Sequence, residues 1–376
     1  MNQASLYIHF PFCMRKCFYC DFYSVESLQS LEEFLKALKH EILLRRTLLT
    51  DDVLFETIYF GGGTPSLLSA AQVAELLGKL SSSFQFSDDV EITIEVNPGT
   101  VSLDWFSSVR LIGVNRVSIG IQSFDDKLLQ WLTRIHSSAD GVHAYLAARD
   151  AGFENVSIDL MFGLPMQSIA QWECTLQRAV ELGPEHISTY SLIVEPETQL
   201  ERLVKAGKVK LLDDDADAAM YQLAIELLTS SGYEQYEISN FAKPGFRSRH
   251  NANYWNHKPY LGLGPSAHSF WKGERSWNVR SISEYICSLN KNRLPTAGAE
   301  ILRETEQFEE SVYLGLRQGR IDMRALASQF GIDLATQKRD LLEEWQRLGF
   351  IFSDGAVLQL TRQGFLIADE LARQLI

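Results

Sequence analysis

Cysteine is scarce in this chain, and what there is forms no disulfide framework. Five cysteines occur in 376 residues, an odd count with no regular spacing. That excludes a disulfide-stapled secreted scaffold and fits a reducing compartment. No run approaches the ~18 apolar residues of a membrane-spanning helix, so no integral membrane segment is expected. The first residues, MNQASLYIHF, lack a basic n-region and a long apolar h-region, which leaves no secretory signal and points to the cytoplasm. An excess of positive charge is also missing. The 35 Lys and Arg against 48 Asp and Glu leave a net charge of -13, which argues against broad nucleic-acid binding. No low-complexity tract or solenoid repeat occurs. What remains is an ordinary globular composition, 45% hydrophobic and 22% charged, long enough for roughly two domains and a large core.

The few cysteines are unevenly placed. Cys13, Cys17 and Cys20 lie in the spacing C-x3-C-x2-C, while Cys174 and Cys287 stand apart as core or incidental thiols. Zinc sites usually use paired C-x2-C units, and no second pair exists here. Three thiolates can instead hold three irons of a cubane [4Fe–4S] cluster, leaving the fourth iron open to a small molecule. An open-iron cluster is the electron donor that reductive cleavage of S-adenosylmethionine (SAM) requires. The bland alternative is three unrelated buried cysteines in one loop.

The first 240 residues alternate strand and helix signals. β-rich runs fall at 6–10, 57–60, 91–96, 116–121, 156–161, 186–192 and 236–238. Helical stretches fall at 31–46, 70–80, 103–111, 139–151, 169–182 and 216–230, the first with a buried stripe of Leu31, Leu35, Leu38 and Ile42. Such repetition predicts an α/β fold, a parallel sheet with right-handed crossovers that curls into a full or partial barrel. The unusual residues then map to the C-terminal ends of strands, where α/β barrels build their sites. The Cys loop follows the first strand and Gly61-Gly62-Gly63-Thr64-Pro65 the second; Glu95 ends the third and Gln122 the fourth, and Asp159 lies in the fifth. The glycines either admit a ligand close to the backbone or make a tight turn. Glu95, Gln122 and Asp159 suit an amine or ribose hydroxyls, or else bond neighbouring loops. Arg134 either grips a carboxylate or is a solvated helix-end charge.

From Ile238 to Gly273 there is no Asp or Glu, but there are Lys243, Arg247, Arg249, three histidines and five Tyr, Trp or Phe rings from Tyr254 on. A cationic, aromatic stretch in an acidic protein suits an anionic or large planar ligand, or a cover over an open barrel edge. After residue 298 the order helix (323–330), helix (335–348), hairpin (350–352 and 357–360) and helix (361–375) resembles a winged helix, with Thr361 as an N-cap. Its acidic residues Asp333, Asp340, Glu343 and Glu344 deny it the basic face of a DNA reader.

The run from Tyr7 through Cys20 resembles the radical-SAM superfamily. So do the segments around Gly61–Pro65, Ile119–Phe124, Asp159–Pro165, Tyr236–Ala242 and Gly262–Pro265. Within it the chain is similar, over nearly its whole length, to the group holding oxygen-independent coproporphyrinogen III dehydrogenases and the related haem chaperones. The resemblance implies a partial TIM-like (βα)6 barrel over 1–240, a connecting segment over 241–298 and a mostly helical winged-helix-like domain over 299–376. It implies that Cys13, Cys17 and Cys20 ligate the cluster and that Tyr7, Tyr19, Gly62, Gly63, Thr64 and Glu95 surround SAM. Gln122, Arg134 and Asp159 match positions that hold a second SAM in the dehydrogenase.

Two positions separate the subgroups. The dehydrogenase pattern has a further cysteine where this chain has Phe22, and the chaperones carry an H-N-x-x-Y motif, here His250, Asn251 and Tyr254. The chaperone branch implies haem and haem-recipient proteins as partners, with His250 as a candidate iron ligand and Lys243, Arg247 and Arg249 as candidates for the propionates. His257 and His268 are weaker candidates, expected on the surface and in the core respectively. Decarboxylation of coproporphyrinogen III is the alternative activity, and SAM cleavage and a homodimer stay open. Thr133, Glu197 and Ser266 stand where relatives often have glycine.

Overall fold

The structure is a computed structural model that describes residues 2–49 and 53–376. β1 (Asn2–Phe10), β2 (Val53–Gly62), β3 (Gln85–Val96), β4 (Arg116–Gln122), β5 (Val156–Phe162) and β6 (His186–Ser191) pair in parallel, each beside the next in sequence. Helices 31–46, 70–81, 103–112, 138–150, 169–182 and 214–230 make the crossovers. Ser69, Ser137 and Ser168 each cap a helix and are answered by the residue three positions on, which fixes where those helices begin. Gly183, at φ 73°, closes helix 169–182 in the left-handed region.

The core lies between strands and helices. Leu6, Ile8, Phe60, Ile94, Ile119, Ile158, Phe106 and Trp172 are at most 1% exposed. Each such side chain contributes about 1.5–3 kcal/mol of transfer free energy. That stabilisation lets the barrel lumen carry polar groups.

The barrel is partial. β1 turns its second edge to β9 (Tyr260–Leu263) and β6 turns its own to β8 (Asn240–Ala242), so the first and sixth strands do not meet. Residues 241–298 are therefore built into the sheet. β9 lies parallel to β1; β10 (His268–Trp271), β11 (Glu274–Asn278) and β12 (Thr296–Ile301) continue antiparallel, and β12 crosses position 298.

The strand expected at 236–238 is absent. β7 (Glu234–Gln235) and β8 flank it, and Tyr236 N bonds Asn240 O while Ile238 N reaches Arg317 O at 2.9 Å. The segment's hydrogen bonds thus go to its own turn and to the C-terminal unit. Two helices that the sequence does not announce, 126–131 and 199–205, sit in loops at the barrel rim.

The C-terminal unit opens with helix 304–317 and β13 (Arg320–Asp322), neither expected from sequence, followed by helix 323–330. The helix expected over 335–348 is two, 334–337 and 339–347, and the one over 361–375 is also two, 362–366 and 368–375. Lys338 (φ -112°) and Ile367 (φ -124°) make the breaks without Gly or Pro. Packing decides both, since Leu334, Leu342, Ala368 and Leu371 all enter one core with Val312 and Trp345. β14 (Ile351–Ser353) and β15 (Val357–Leu360) form the hairpin, and Thr361 caps the next helix through Gly364 N. Ile238 and Phe365 pack against both cores and join the two units. No helix among the described residues is long and apolar enough to cross a membrane.

Candidate functional site

The Cys loop is pinned at both feet. Cys13 N donates to Val25 O at 3.0 Å and Val25 N to Pro11 O at 2.8 Å. Phe12 is fully buried between Phe10 and Phe34, at ring separations of 5.1 and 5.4 Å. The glycine turn after β2 docks on this base: Gly63 N donates to Phe10 O and Thr64 N to Phe12 O, at 2.7 and 2.8 Å. A Cβ on Gly63 would lie 2.5 Å from Phe12 O, and one on Gly62, which holds φ 105°, would lie 2.6 Å from the His9 ring. Only glycine fits either place. His9 is fixed by Tyr7 Oη at 3.1 Å and Tyr23 O at 2.8 Å, and burial lowers its pKa to about 4, so it is neutral.

Three free, partly exposed thiols project from the loop. Burial pushes the Cys20 thiol up to about 11, with Cys17 and Cys13 close enough to add to the rise. No three His, Cys, Asp or Glu side chains among the described residues converge on one point to hold a single ion. A cubane does not ask for that, because each thiolate takes a different iron.

Glu95 reaches across from β3. Its Oε1 accepts from Tyr59 Oη at 2.9 Å and its Oε2 from Gly62 N at 3.2 Å. Burial raises its pKa to about 7, opposed by those bonds. Gln122 (φ 68°) and Arg134 meet over Gly120, where a Cβ would lie 2.9 Å from Gln122 Nε2. Arg134 is no solvated charge: it donates to Gly120 O at 2.8 Å and lies 3.8 Å from Cys17 Sγ. Asp159 sits deeper, accepting from Ser118 at 3.0 Å and Ser157 at 3.3 Å, and burial raises its pKa. Thr133, Glu197 and Ser266 have φ of 57°, 65° and 62°, which explains the glycine expected at each.

A cavity of about 1030 Å³ opens beside the Cys loop. Small-molecule pockets commonly span roughly 300–1,000 Å³, so this one has room for a large ligand. Tyr7, Gly62, Glu95 and His250 line it; Tyr19, Gly63, Thr64, Gln122, Arg134 and Asp159 lie outside its walls. His250 is 1% exposed on helix 249–255, stacked on Tyr59 at 4.8 Å. Its Nδ1 meets Thr57 Oγ1 at 2.7 Å and its Nε2 meets Tyr254 Oη at 3.0 Å, so side chains rather than loop backbone satisfy it. Burial lowers its pKa to about 3. Tyr254 is the hydrogen-bond partner of His250 and shares the lining of the cavity with it.

Lys243, Arg247 and Arg249 do not face the cavity. They pair with Glu185, Glu234 and Asp89 at 3.8, 3.0 and 3.1 Å, toward the N-terminal ends of the strands. The other two histidines exchange the expected places: His257 is partly buried against Phe270 and Glu310, and His268 is exposed.

Sequence reasoning missed Arg116, 1% exposed in β4, whose Nε has no hydrogen-bond partner among the described residues. Its charge opposes the burial penalty on Glu95 and Asp159. The signal was present, since Arg116, Ser118, Gly120 and Gln122 alternate along one strand face. Tyr59, Trp277 and Arg280 were also missed; the last two lie beyond the acid-free stretch.

The barrel and its cysteine loop define a radical SAM protein: the model of the Radical SAM superfamily matches residues 7–179, and that of the HemN C-terminal domain matches residues 302–367. The chain is similar to the heme chaperone HemW of Bacillus subtilis (strain 168), 37% identical over 98% of each chain. It is 36% identical to that of Mycobacterium tuberculosis (strain CDC 1551 / Oshkosh), over 99% of this chain and 94% of the relative. The chain belongs to the HemW family. The solved coproporphyrinogen III oxidase HemN from Escherichia coli, a radical SAM enzyme, superposes with a TM-score of 0.85 at 26% identity, over 100% of this chain and 90% of that one.

The superfamily implies a [4Fe–4S] cluster and SAM, and the residues present fit both. The thiols are free, the glycine turn leaves no Cβ in the way, and Thr133 Oγ1 and Arg134 Nε lie buried without partners among the described residues.

Proposed function

We propose that this protein is a cytoplasmic haem chaperone that holds haem beside a SAM-binding iron–sulfur site and passes it to recipient proteins. The observation that carries the reading is end-to-end similarity to proteins named heme chaperone HemW, 36–37% identical over at least 98% of this chain. Two features of the site support it. Phe22 stands, 65% exposed, where the dehydrogenase pattern has its further cysteine. His250 and Tyr254 line the same cavity as Glu95 and Gly62.

In this reading Cys13, Cys17 and Cys20 would each hold one iron of a cluster whose chemistry, when bound, would be electron supply to SAM. Gly62 and Gly63 admit the amino-acid part of SAM against the backbone. Glu95, with one oxygen already on Gly62 N, offers its carboxylate to the SAM ammonium. Tyr59 orients that carboxylate through its hydroxyl, and Tyr7 stacks on Tyr59 at the cavity lining. Tyr19 and Thr64 flank SAM from the two loops; Arg134 and Gln122 meet over Gly120 beside Cys17, and Asp159 lies deeper, on Ser118. For haem, Tyr254 Oη stands before His250 Nε2, so His250 reaches iron only when Tyr254 turns away.

The test is anaerobic. The cluster is reconstituted, haemin is titrated into wild type, His250→Ala and Tyr254→Phe, and coproporphyrinogen III decarboxylation is assayed in parallel. A stable haem complex with an altered Soret band in either variant is expected. Robust decarboxylation, or no haem complex in wild type, overturns the reading. Cys17→Ala is expected to lose most iron and sulfide; unchanged content would refute the cluster assignment.

A further inference from the structure

The far wall of the cavity is β10–β12, an antiparallel extension that the barrel itself does not need for closure. On it, Trp277 pairs directly across from Gly298. A Cβ at Gly298 would lie 2.4 Å from Trp277 Cζ2 and 2.8 Å from Cε2, so the indole lies against bare backbone of β12. His268, the β10 neighbour of Trp277, stacks beside the indole at 6.1 Å and 28°. The result is a broad π-surface fixed to a sheet. Covering a glycine with a cross-strand aromatic can stabilise a strand pair by itself. Here, however, Trp277 is only partly buried, and both it and His268 line the cavity.

Cations stand along the same wall. Arg280, two residues past the end of β11, has 58% of its side chain exposed; it donates a long hydrogen bond to Asp21 O at 3.4 Å and lies 3.8 Å from the Asp21 carboxylate, both at the surface. Arg275 is occupied by Glu300, at 3.1 Å, and by Glu310. Arg280 is therefore the guanidinium at the rim that is readily redirected to a ligand carboxylate. A flat aromatic surface with a cation at its edge, in a cavity of about 1030 Å³, matches a planar macrocycle carrying carboxylates.

Resting on the haem-chaperone reading, we propose that Trp277 and His268 are the platform on which the porphyrin ring stacks, with its propionates directed to Arg280. Iron ligation by the His250 and Tyr254 pair is then a separate, second contact.

Metal-free protoporphyrin IX isolates the platform from the iron. Full-length, cluster-reconstituted protein is titrated with protoporphyrin IX, its dimethyl ester, haemin and SAM. Trp277→Ala is expected to weaken protoporphyrin IX and haemin about tenfold or more, the loss typical of an aromatic anchor, with SAM binding changed less than about twofold. Gly298→Val, which displaces the indole, is expected to reproduce that defect, and Trp277→Phe to retain most binding. Arg280→Glu is expected to weaken protoporphyrin IX but not the ester, and His250→Ala to leave metal-free porphyrin binding intact. Wild-type porphyrin affinity in folded Trp277→Ala and Gly298→Val, as judged by thermal melts, overturns the platform while leaving the chaperone reading standing. So does loss of SAM binding without loss of porphyrin. Failure of wild type to bind either haemin or porphyrin overturns both.

Discussion

Glu95 shows how one buried carboxylate links stability to ligand binding. Its folded pKa is about 7, against the ordinary 4.5, because burial penalises the charge. The folded state therefore holds the proton more tightly than the unfolded one. The associated stability is full below pH 4.5 and is lost as pH rises through 7. A shift from 4.5 to about 7 corresponds to about 3 kcal/mol. Glu95→Gln keeps an acceptor for Gly62 N without the charge. In urea unfolding of the cluster-free protein, the Glu95→Gln variant should gain up to about 3 kcal/mol on wild type between pH 4.5 and pH 8. The same variant should lose SAM affinity, and wild-type affinity should fall below pH 7 as Glu95 takes its proton. Equal pH profiles for the two proteins would contradict the burial argument. Glu95 was legible in the sequence because it ends a strand beside the glycine turn. Arg116 was overlooked although its alternation with Ser118 and Gly120 carried the signal, because a charge at the start of a strand usually reads as a surface residue, whereas here it is buried.

Among elements, legibility followed the source of the ordering energy. Helices with a local start signal, such as Ser69 before 70–81 and Ser168 before 169–182, were placed to within a residue. The segment 236–238 has strand composition, but Ile238 spends its N–H on Arg317 of another unit, and no local rule foretells that. Lys243, Arg247 and Arg249 illustrate the same limit. Composition grouped them with His250, but helix 249–255 turns His250 toward β2 while these three cations find acids elsewhere. The contact between the glycine turn and the Cys loop makes a sharper test. A methyl on Gly63 meets Phe12 O at 2.5 Å, and backbone held by Val25 on one side cannot yield easily. Gly63→Ala should cost about 1–3 kcal/mol, the usual range for overpacking, and should lower iron retention after reconstitution. Gly78→Ala, where nothing lies within 4 Å, is the matched control and should leave iron content unchanged. Iron retention equal to wild type in Gly63→Ala would show that the two loops are not mechanically coupled.

At the scale of the whole molecule, the C-terminal unit is more than an appendage. Helix 304–317 reaches back to the cavity wall through Glu310, which pairs with Arg275 of β11 and lies 2.9 Å from His257 Nε2. His257 in turn stacks on Phe270 of β10 at 4.3 Å. One carboxylate therefore ties the C-terminal core to the strands that carry Trp277 and His268. The pair is about a quarter exposed on each side, 29% and 27%, so solvent screens it and about 1 kcal/mol is a fair value. His257 and Arg275 hold the Glu310 pKa below the ordinary 4.5, with burial opposing them. The sign follows: this stabilisation is present above pH 4.5 and is lost as pH falls through the lowered folded value. Glu310→Gln should unfold about 1 kcal/mol more easily at pH 7, and its deficit should close as the pH is taken below the ordinary glutamate range. If the tie positions the wall, the variant should also bind protoporphyrin IX more weakly at pH 7 while SAM affinity holds, because Gly62 and Glu95 belong to β2 and β3 on the barrel side. A stability deficit with unchanged porphyrin binding would make Glu310 a fastening between units and nothing more.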